Sequence, residues 1–357
     1  KKSKIYIAGH HGMVGSTIKK ILEKKGYTNI ISIDKKDLDL RNQTDVQSFF
    51  KKNKPDYVIL AAAKVGGIMA NNKFRAEFIY DNLQIQNNII HQSYLNNVKK
   101  LLFLGSSCIY PKESKQPIKE EYLLNGKLEY TNEPYAISKI AGIKLCESYY
   151  KQYNCDFISV MPTNLFGEND NFDFETSHVL PALMRKLHLG KCLMNNDWAM
   201  IYKDLKKYPI KTLNEYNHNQ ILKSFEKIGI LYDPQKNITT IKLWGSGKVY
   251  REFLHVEDLA NACLHIMKNV DANYLYETLG QTHINIGTGQ DLTIQNLVDI
   301  IKKTVNYKGK ISWDNLNPDG TKRKKLDIQL LNSLNWKYKI PLEQGIHSVY
   351  KKYINYN

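Results

Sequence analysis

Ser3 to Ala8 alternates apolar residues and runs into Gly9-His10-His11-Gly12-Met13-Val14-Gly15, after which Ser16 to Lys24 carries a helical pattern. A strand, a tight glycine turn and a helix in that order leave few folds open. Glycine lets the backbone turn sharply, and the free amides and dipole at the helix start suit a pyrophosphate. The spacing is G-x-x-G-x-x-G, not the G-x-G-x-x-G of many dehydrogenases. Further strand patterns follow at Ile30–Ile33, Tyr57–Ala61, Leu101–Leu104 and Phe157–Met161, separated by helix-like stretches. Strands that alternate with helices predict a Rossmann-type α/β fold with a doubly wound parallel sheet.

At 357 residues the chain has room for a second, smaller domain. The regular alternation fades after Asn164. Phe166 to Asp173 reads as a loop, His178 to His188 as a helix and Thr240 to Trp244 as a strand. Val256-Glu257-Asp258-Leu259 opens another helix, expected to pack back on the first domain. The expected organisation is a dinucleotide-binding domain over 1–164, joined by a later segment near 252–268. A smaller C-terminal substrate domain covers 165–357, with a polar, aromatic segment of little clear period near 192–237.

The formal charge of +16 raises the possibility of a nucleic-acid binder. Against that, the lysines are spread along the whole chain, with one dense cluster at Lys322-Arg323-Lys324-Lys325 and no aromatic-basic alternation. The expectation is no nucleic-acid partner; part of the charge serves a phosphate-bearing cofactor and a nucleotide substrate. The five cysteines, Cys108, Cys146, Cys155, Cys192 and Cys263, are scattered and lack C-x-x-C spacing. That disfavours a disulfide framework or a zinc site, so no metal is expected, and it suits a reducing cytoplasm. The longest apolar runs are far shorter than a membrane span, and no secretory signal is visible, so no membrane partner is expected.

Tyr135 and Lys139, four residues apart, share one helix face. An ammonium beside a phenol favours the phenolate and draws a pKa of about 10 toward working pH. Ser106, at the end of a preceding strand, can hold a carbonyl oxygen against that phenol. Together they form a device for moving a proton on or off a sugar or steroid oxygen during hydride transfer. Y-x-x-x-K spacing arises often by chance in a chain with 24 tyrosines. The order of glycine turn, strand-ending serine and Tyr-Lys pair is what raises it. The second predicted strand ends at Asp34, followed by Lys35 and Lys36. An acid there grips a ribose 2′-hydroxyl and a base welcomes a 2′-phosphate, so these residues leave NAD and NADP both open.

The strings AGHHGMVGS, AAAKVGGIMANN (61–72), LLFLGSSCIYPK (101–112), NEPYAISKIAGIKLCESY (132–149) and VMPTNLFGENDNF (160–172) carry a closer resemblance. So do SHVLPAL (177–183), WGSGKVYREFLHVEDLA (244–260), INIGTG (284–289) and PDGTKRKKLD (318–327). Over nearly its whole length the chain resembles the extended short-chain dehydrogenase/reductases and, within them, the GDP-L-fucose synthase family. The resemblance implies an NADPH-dependent enzyme and homodimer that acts on a GDP-linked 4-keto-6-deoxy sugar. Such an enzyme epimerises C3 and C5 and then reduces the C4 ketone.

By the same resemblance, Ser106, Tyr135 and Lys139 are the reductase set, and Cys108 and His178 the epimerisation acid and base. Inversion beside a ketone needs a base on one face of the sugar and an acid on the other, and a thiolate with an imidazolium supplies them. Cofactor contacts are implied for Gly9, Gly12, Met13, Val14, Gly15, Asp34, Lys35, Ala62, Ala63, Tyr135, Lys139, Pro162, Asn164, Leu165 and His178. Substrate contacts are implied for Ser107, Lys186, Trp244, Arg251, Asp319 and Lys322. For Arg251 this means a bidentate grip on the diphosphate; for Trp244 a buried core tryptophan is the simpler alternative.

Three departures bear on what is implied. Residues 192–237 have no counterpart in the shorter family members. His11 and the Asp34-Lys35 pair stand where arginines often face a 2′-phosphate. Lys186 stands where the family often has arginine, and a lysine cannot offer the same fork. A single-activity reductase or epimerase acting on a heptose remains the alternative function.

Overall fold

The computed structural model describes residues 1–211, 213, 215–314 and 320–356. It divides into two compact units. The first comprises Lys1–Asn169, Glu252–Gln290 and Lys324–Ile340; the second comprises Asp170–Arg251, Asp291–Arg323 and Pro341–Asn357.

The first unit is built on the parallel sheet anticipated from the sequence. Its six strands lie in the order Ile284–Ile286, Phe157–Pro162, Lys100–Leu104, Tyr57–Leu60, Ile5–Ala8, Ile30–Ile31, and all five pairings between neighbours are parallel. Such strands must be covered on both faces, which explains their continuous apolar runs. One face carries Ile18 and Leu22 of helix Met13–Lys24 with Leu259, Cys263 and Ile266 of helix Val256–Asn269. The other carries Phe49, Phe50, Ile89, Ile90 and Ile143. Strand order reverses between Ile5–Ala8 and Tyr57–Leu60, the switch point at which doubly wound sheets receive ligands.

A buried polar network ties the segment after Lys100–Leu104 to the edge strand. Tyr110 donates its hydroxyl to Asn285 Oδ1 at 2.5 Å and lies 2.7 Å from His283 Nε2. Asn285 in turn donates its backbone N–H to Glu120 at 3.0 Å. Burial pushes the Glu120 carboxyl up to about 7. A folded pKa above the unfolded one means the folded chain holds a proton that the unfolded chain has lost. Stability from this group is therefore present below the ordinary carboxyl range and is lost as pH rises through about 7. Glu120→Gln keeps the acceptor for Asn285 and removes the charge. It should raise stability at pH 8 by on the order of 2 kcal/mol and change little at pH 5. Thermal unfolding of both chains at the two pH values checks this.

The second unit holds a three-stranded sheet in the order Lys310–Asp314, Ile238–Trp244, Ile230–Asp233. The first pairing is parallel and the second antiparallel. The stretch expected to lack a clear period contains helices Trp198–Lys207 and His218–Lys227. Each buries a single i, i+4 apolar pair, Ile201 with Leu205 and Ile221 with Phe225, among lysines, asparagines and tyrosines that mask the period. Asp197 and Asn217 cap them by accepting from Met200 and Gln220 backbone N–H groups at 3.1 and 2.9 Å. Fully buried Arg185 ties the first of these helices to Val179–Met194. Its Nε and Nη2 donate to Asp204 at 2.9 and 2.8 Å, Nη1 donates to Phe172 O at 3.0 Å, and the Tyr353 hydroxyl donates to the same carboxylate. A buried ion pair is tolerated only with such complete hydrogen bonding.

Among the described residues, no helix is long and apolar enough to cross a membrane.

Candidate active site

Strand Ile5–Ala8 ends at Gly9, whose φ of 88° lies in the left-handed region. A Cβ there would sit 2.7 Å from Ala62 Cα, and one on Gly15 would sit 2.2 Å from Gly9 O. Neither position admits another residue without moving backbone. Gly12 is different: a Cβ would meet Gly9 O at an ordinary 3.5 Å. Gly12 precedes helix Met13–Lys24 and has no side chain to cap it, which leaves first-turn amides for an anion. Met13 gives its carbonyl to the Thr17 hydroxyl at 2.8 Å, while Val14 and Leu165 pack on the core of this unit. Ala63 follows Ala62 beyond strand Tyr57–Leu60. Pro162 ends its strand, and Asn164 donates to Glu252 O at 2.8 Å.

Asp34 receives two histidines. His11 Nε2 lies 2.6 Å and His10 Nε2 3.3 Å from the same carboxylate oxygen, and the hydrogen bond from His11 holds the carboxyl below its ordinary range. Lys35 is exposed. A glycine cradle, an uncapped helix start and an acid flanked by bases fit a dinucleotide: the turn for the diphosphate, the Asp34 cluster for the ribose end. Bound there, the group supplies a hydride.

Strand Lys100–Leu104 leads to Ser106, whose hydroxyl accepts from Cys108 N at 3.3 Å and caps the short turn Ser107–Ile109. Ser107 is buried and Cys108 half-buried. Helix Glu133–Tyr153 carries Tyr135 and Lys139. Lys139 is buried; its Nζ donates to Leu104 O at 2.8 Å and lies 4.8 Å from the Phe103 ring centroid and 5.8 Å from that of Tyr135.

The expected lowering of the phenol by its lysine is not what the structure contains. Burial pushes the Tyr135 phenol well above its ordinary range, and Cys108 adds to the rise; a hydrogen bond with Ser106 opposes it. Burial likewise draws the Lys139 ammonium down to about 7. Desolvation drives each group to its neutral form and outweighs their mutual attraction. The result is a phenol that holds its proton at neutral pH beside an amine poised to carry charge. A proton donor to a sugar oxygen needs both.

Of the residues in the second unit, His178 stands exposed at the start of helix Val179–Met194. Protein packed around its ring lowers its pKa even though part of the residue reaches solvent, and the positive end of the helix also disfavours an imidazolium. Lys186 lies two turns further along that helix, and burial draws its ammonium down to about 8. Trp244, at the end of strand Ile238–Trp244, is 61% exposed, so the buried-core reading is wrong for it. Arg251 Nη1 donates to Tyr250 O and Thr321 O, both at 2.7 Å. Lys322 is exposed, and Asp319 lies outside the described residues.

Sequence reasoning passed over three polar residues of the first unit. His10 joins the Asp34 cluster. Glu252 accepts from Gly289 N and Leu326 N, each at 2.8 Å, which fixes two loops on one buried carboxylate. Asn132 donates Nδ2 to Cys108 Sγ at 3.3 Å. The available signal for the last was its place three residues before Tyr135, at the start of the helix.

Residues 5–206 and 222–287 match the NAD dependent epimerase/dehydratase family. The unmatched residues 207–221 run from the last residue of helix Trp198–Lys207 through the first turn of helix His218–Lys227. Over 354 residues the chain is 45% identical to the GDP-L-fucose synthase of Escherichia coli, covering 99% of this chain and 97% of the relative. Among solved structures it is similar to a GDP-6-OMe-4-keto-L-xylo-heptose reductase from Campylobacter jejuni, with a TM-score of 0.92, 42% identity and coverage of 100% and 99%. It is also similar to a GDP-D-glycero-L-gluco-heptose synthase of the same organism solved in the presence of NADPH, with a TM-score of 0.88, 42% identity and coverage of 99% and 98%. With the glycine turn, the parallel sheet and the Tyr135–Lys139 helix already in place, these matches establish that the chain belongs to the NAD dependent epimerase/dehydratase family, among relatives named for GDP-sugar chemistry.

Proposed function

We propose that the chain inverts C3 and C5 of a GDP-linked 4-keto-6-deoxy sugar and then reduces its C4 ketone with NADPH, giving GDP-L-fucose or a related GDP-6-deoxy sugar, heptoses included. The observation that carries this reading is the gathering of Ser106, Cys108, Tyr135 and Lys139 within one unit, with Ser106 on the Tyr135 phenol. Ser106 and Tyr135 hydrogen-bond the C4 oxygen, first as an enolate and then as an alkoxide. Cys108 and His178 exchange protons with C3 and C5, and Tyr135 donates its proton to O4 while Lys139 balances the phenolate left behind. Ser107, Lys186, Trp244, Arg251 and Lys322 face the sugar nucleotide in this reading. NADPH is favoured by the heptose synthase relative and by the imidazoles beside Asp34, with NADH as the alternative. The chain acts in the cytoplasm as a homodimer, a state supported by exposed Tyr80, Leu95, Ile137 and Tyr153 on helices Arg75–Leu95 and Glu133–Tyr153.

A narrower reading, reduction of a heptose alone, is favoured by the relative named as a reductase. Incubation with GDP-4-keto-6-deoxy-mannose or its heptose counterpart, in deuterium oxide with NADPH or NADH, separates the readings by NMR of the product. The expected product carries deuterium at C3 and C5 and a hydroxyl at C4. Reduction without deuterium selects the narrower reading, and no cofactor oxidation with either sugar ends both.

A further inference from the structure

We infer that Asn132 is a positioning residue for Cys108, turning its side-chain amide away from helix capping and onto the sulfur, where its N–H favours negative charge on that atom. Asn132 is the N-cap of helix Glu133–Tyr153. Asparagine at that position ordinarily accepts from a backbone N–H of the first turn, and the cap is worth about 1 kcal/mol. Here the side chain makes no such bond. Its Nδ2 points at Cys108 Sγ, 3.3 Å away, and its Oδ1 is buried without a hydrogen-bond partner among the described residues. The amide thus serves the sulfur through its N–H and leaves the helix uncapped.

The sulfur is held from its own side as well. Cys108 sits in the Ser107–Ile109 turn, and its N–H is tied to Ser106 Oγ at 3.3 Å. The backbone fixes where the sulfur points, and Asn132 sets an N–H donor against it. A carboxamide N–H donates to a thiolate far better than to a thiol, so the contact stabilises the ionised form selectively. The start of the helix, to which Asn132 belongs, adds its positive end.

The inference rests on the proposed base role of Cys108. In that role the thiolate takes a proton from C3 or C5: the C–H bond breaks, the S–H bond forms, and the electron pair passes to O4 as an enolate. A proton returned from the opposite face then completes the inversion.

The test needs no sugar. Asn132→Asp keeps the shape and remains a good helix cap, but it has no N–H to give and sets a negative charge beside the sulfur. Cys108 alkylation by iodoacetamide, read by mass spectrometry on the folded chain, should slow by about tenfold or more at pH 7 in this variant. The rates should converge at pH 10, where ionisation no longer limits. Asn132→Ala should show the same pattern with a smaller drop, and with unfolding temperatures recorded for both variants. Equal rates at pH 7 overturn the inference, and so does a drop of the same size at every pH, which reports access and not charge. If the alkylation result holds while deuterium uptake into the sugar is absent, the contact stands and the epimerase reading fails.

Discussion

Replacing Lys139 with methionine is expected to cut C4 reduction by about a hundredfold or more while making the cofactor-free chain more stable at and below neutral pH. The two effects share one cause. Lys139 is a buried amine whose Nζ has one hydrogen-bond acceptor among the described residues, Leu104 O, with the Phe103 and Tyr135 rings nearby. Burial draws its pKa from the ordinary 10.5 down to about 7. A lysine lowered on folding keeps its proton in the unfolded chain across that whole interval, so stability rises as pH climbs from about 7 toward the unfolded value. Below about 7 the chain carries the full cost of the buried charge, on the order of 4 kcal/mol before the lost Leu104 contact is set against it. Methionine fills similar space without the charge. Thermal unfolding of both chains between pH 6 and 10 should therefore show a gap that closes as pH rises. NADPH oxidation should fail at every pH, because the phenolate left when Tyr135 gives up its proton has no cation beside it. A variant that is less stable at pH 6, or that reduces at the parent rate, removes Lys139 from the proton device.

That coupling of instability to function explains why some of the site was legible in the sequence and some was not. The glycine turn could be read because Gly9 and Gly15 answer to backbone crowding, which constrains residue type directly. The parallel strands could be read because burial on both faces demands unbroken apolar runs such as Leu101–Leu104. The Tyr135–Lys139 pair was visible as helix spacing, yet its electrostatics were misjudged. Spacing reports that two groups share a face but says nothing of the water removed from both. Trp244 was open to the core reading because a tryptophan ordinarily buries its ring, and only the end of its strand leaves it exposed. The helices Trp198–Lys207 and His218–Lys227 escaped because each rests on one i, i+4 pair. Asn132 escaped for a different reason: at a helix start an asparagine is expected to cap, so nothing in the sequence marked its side chain as turned elsewhere.

Cys108→Ser should abolish solvent deuterium entry at C3 and C5, by about a hundredfold or more, while C4 reduction of an already epimerised sugar stays within about threefold of the parent. Serine is nearly isosteric and the site is only half-buried, so the fold has little reason to respond. Asn132 can donate to the new hydroxyl as it did to sulfur. What is lost is a sulfur, which carries negative charge far more readily than a serine oxygen does. Ser106, Tyr135 and Lys139 remain, and with them the oxyanion site for the ketone. The Tyr135 phenol, which Cys108 helps to hold up, should also come down slightly, a change that favours proton donation. The comparison of two substrates makes the result decisive. Loss of both activities points to a disturbed sugar pocket, and loss of neither shows that another group is the base. Only the split outcome, with inversion gone and reduction intact, assigns the two chemistries to different side chains around a single carbonyl oxygen.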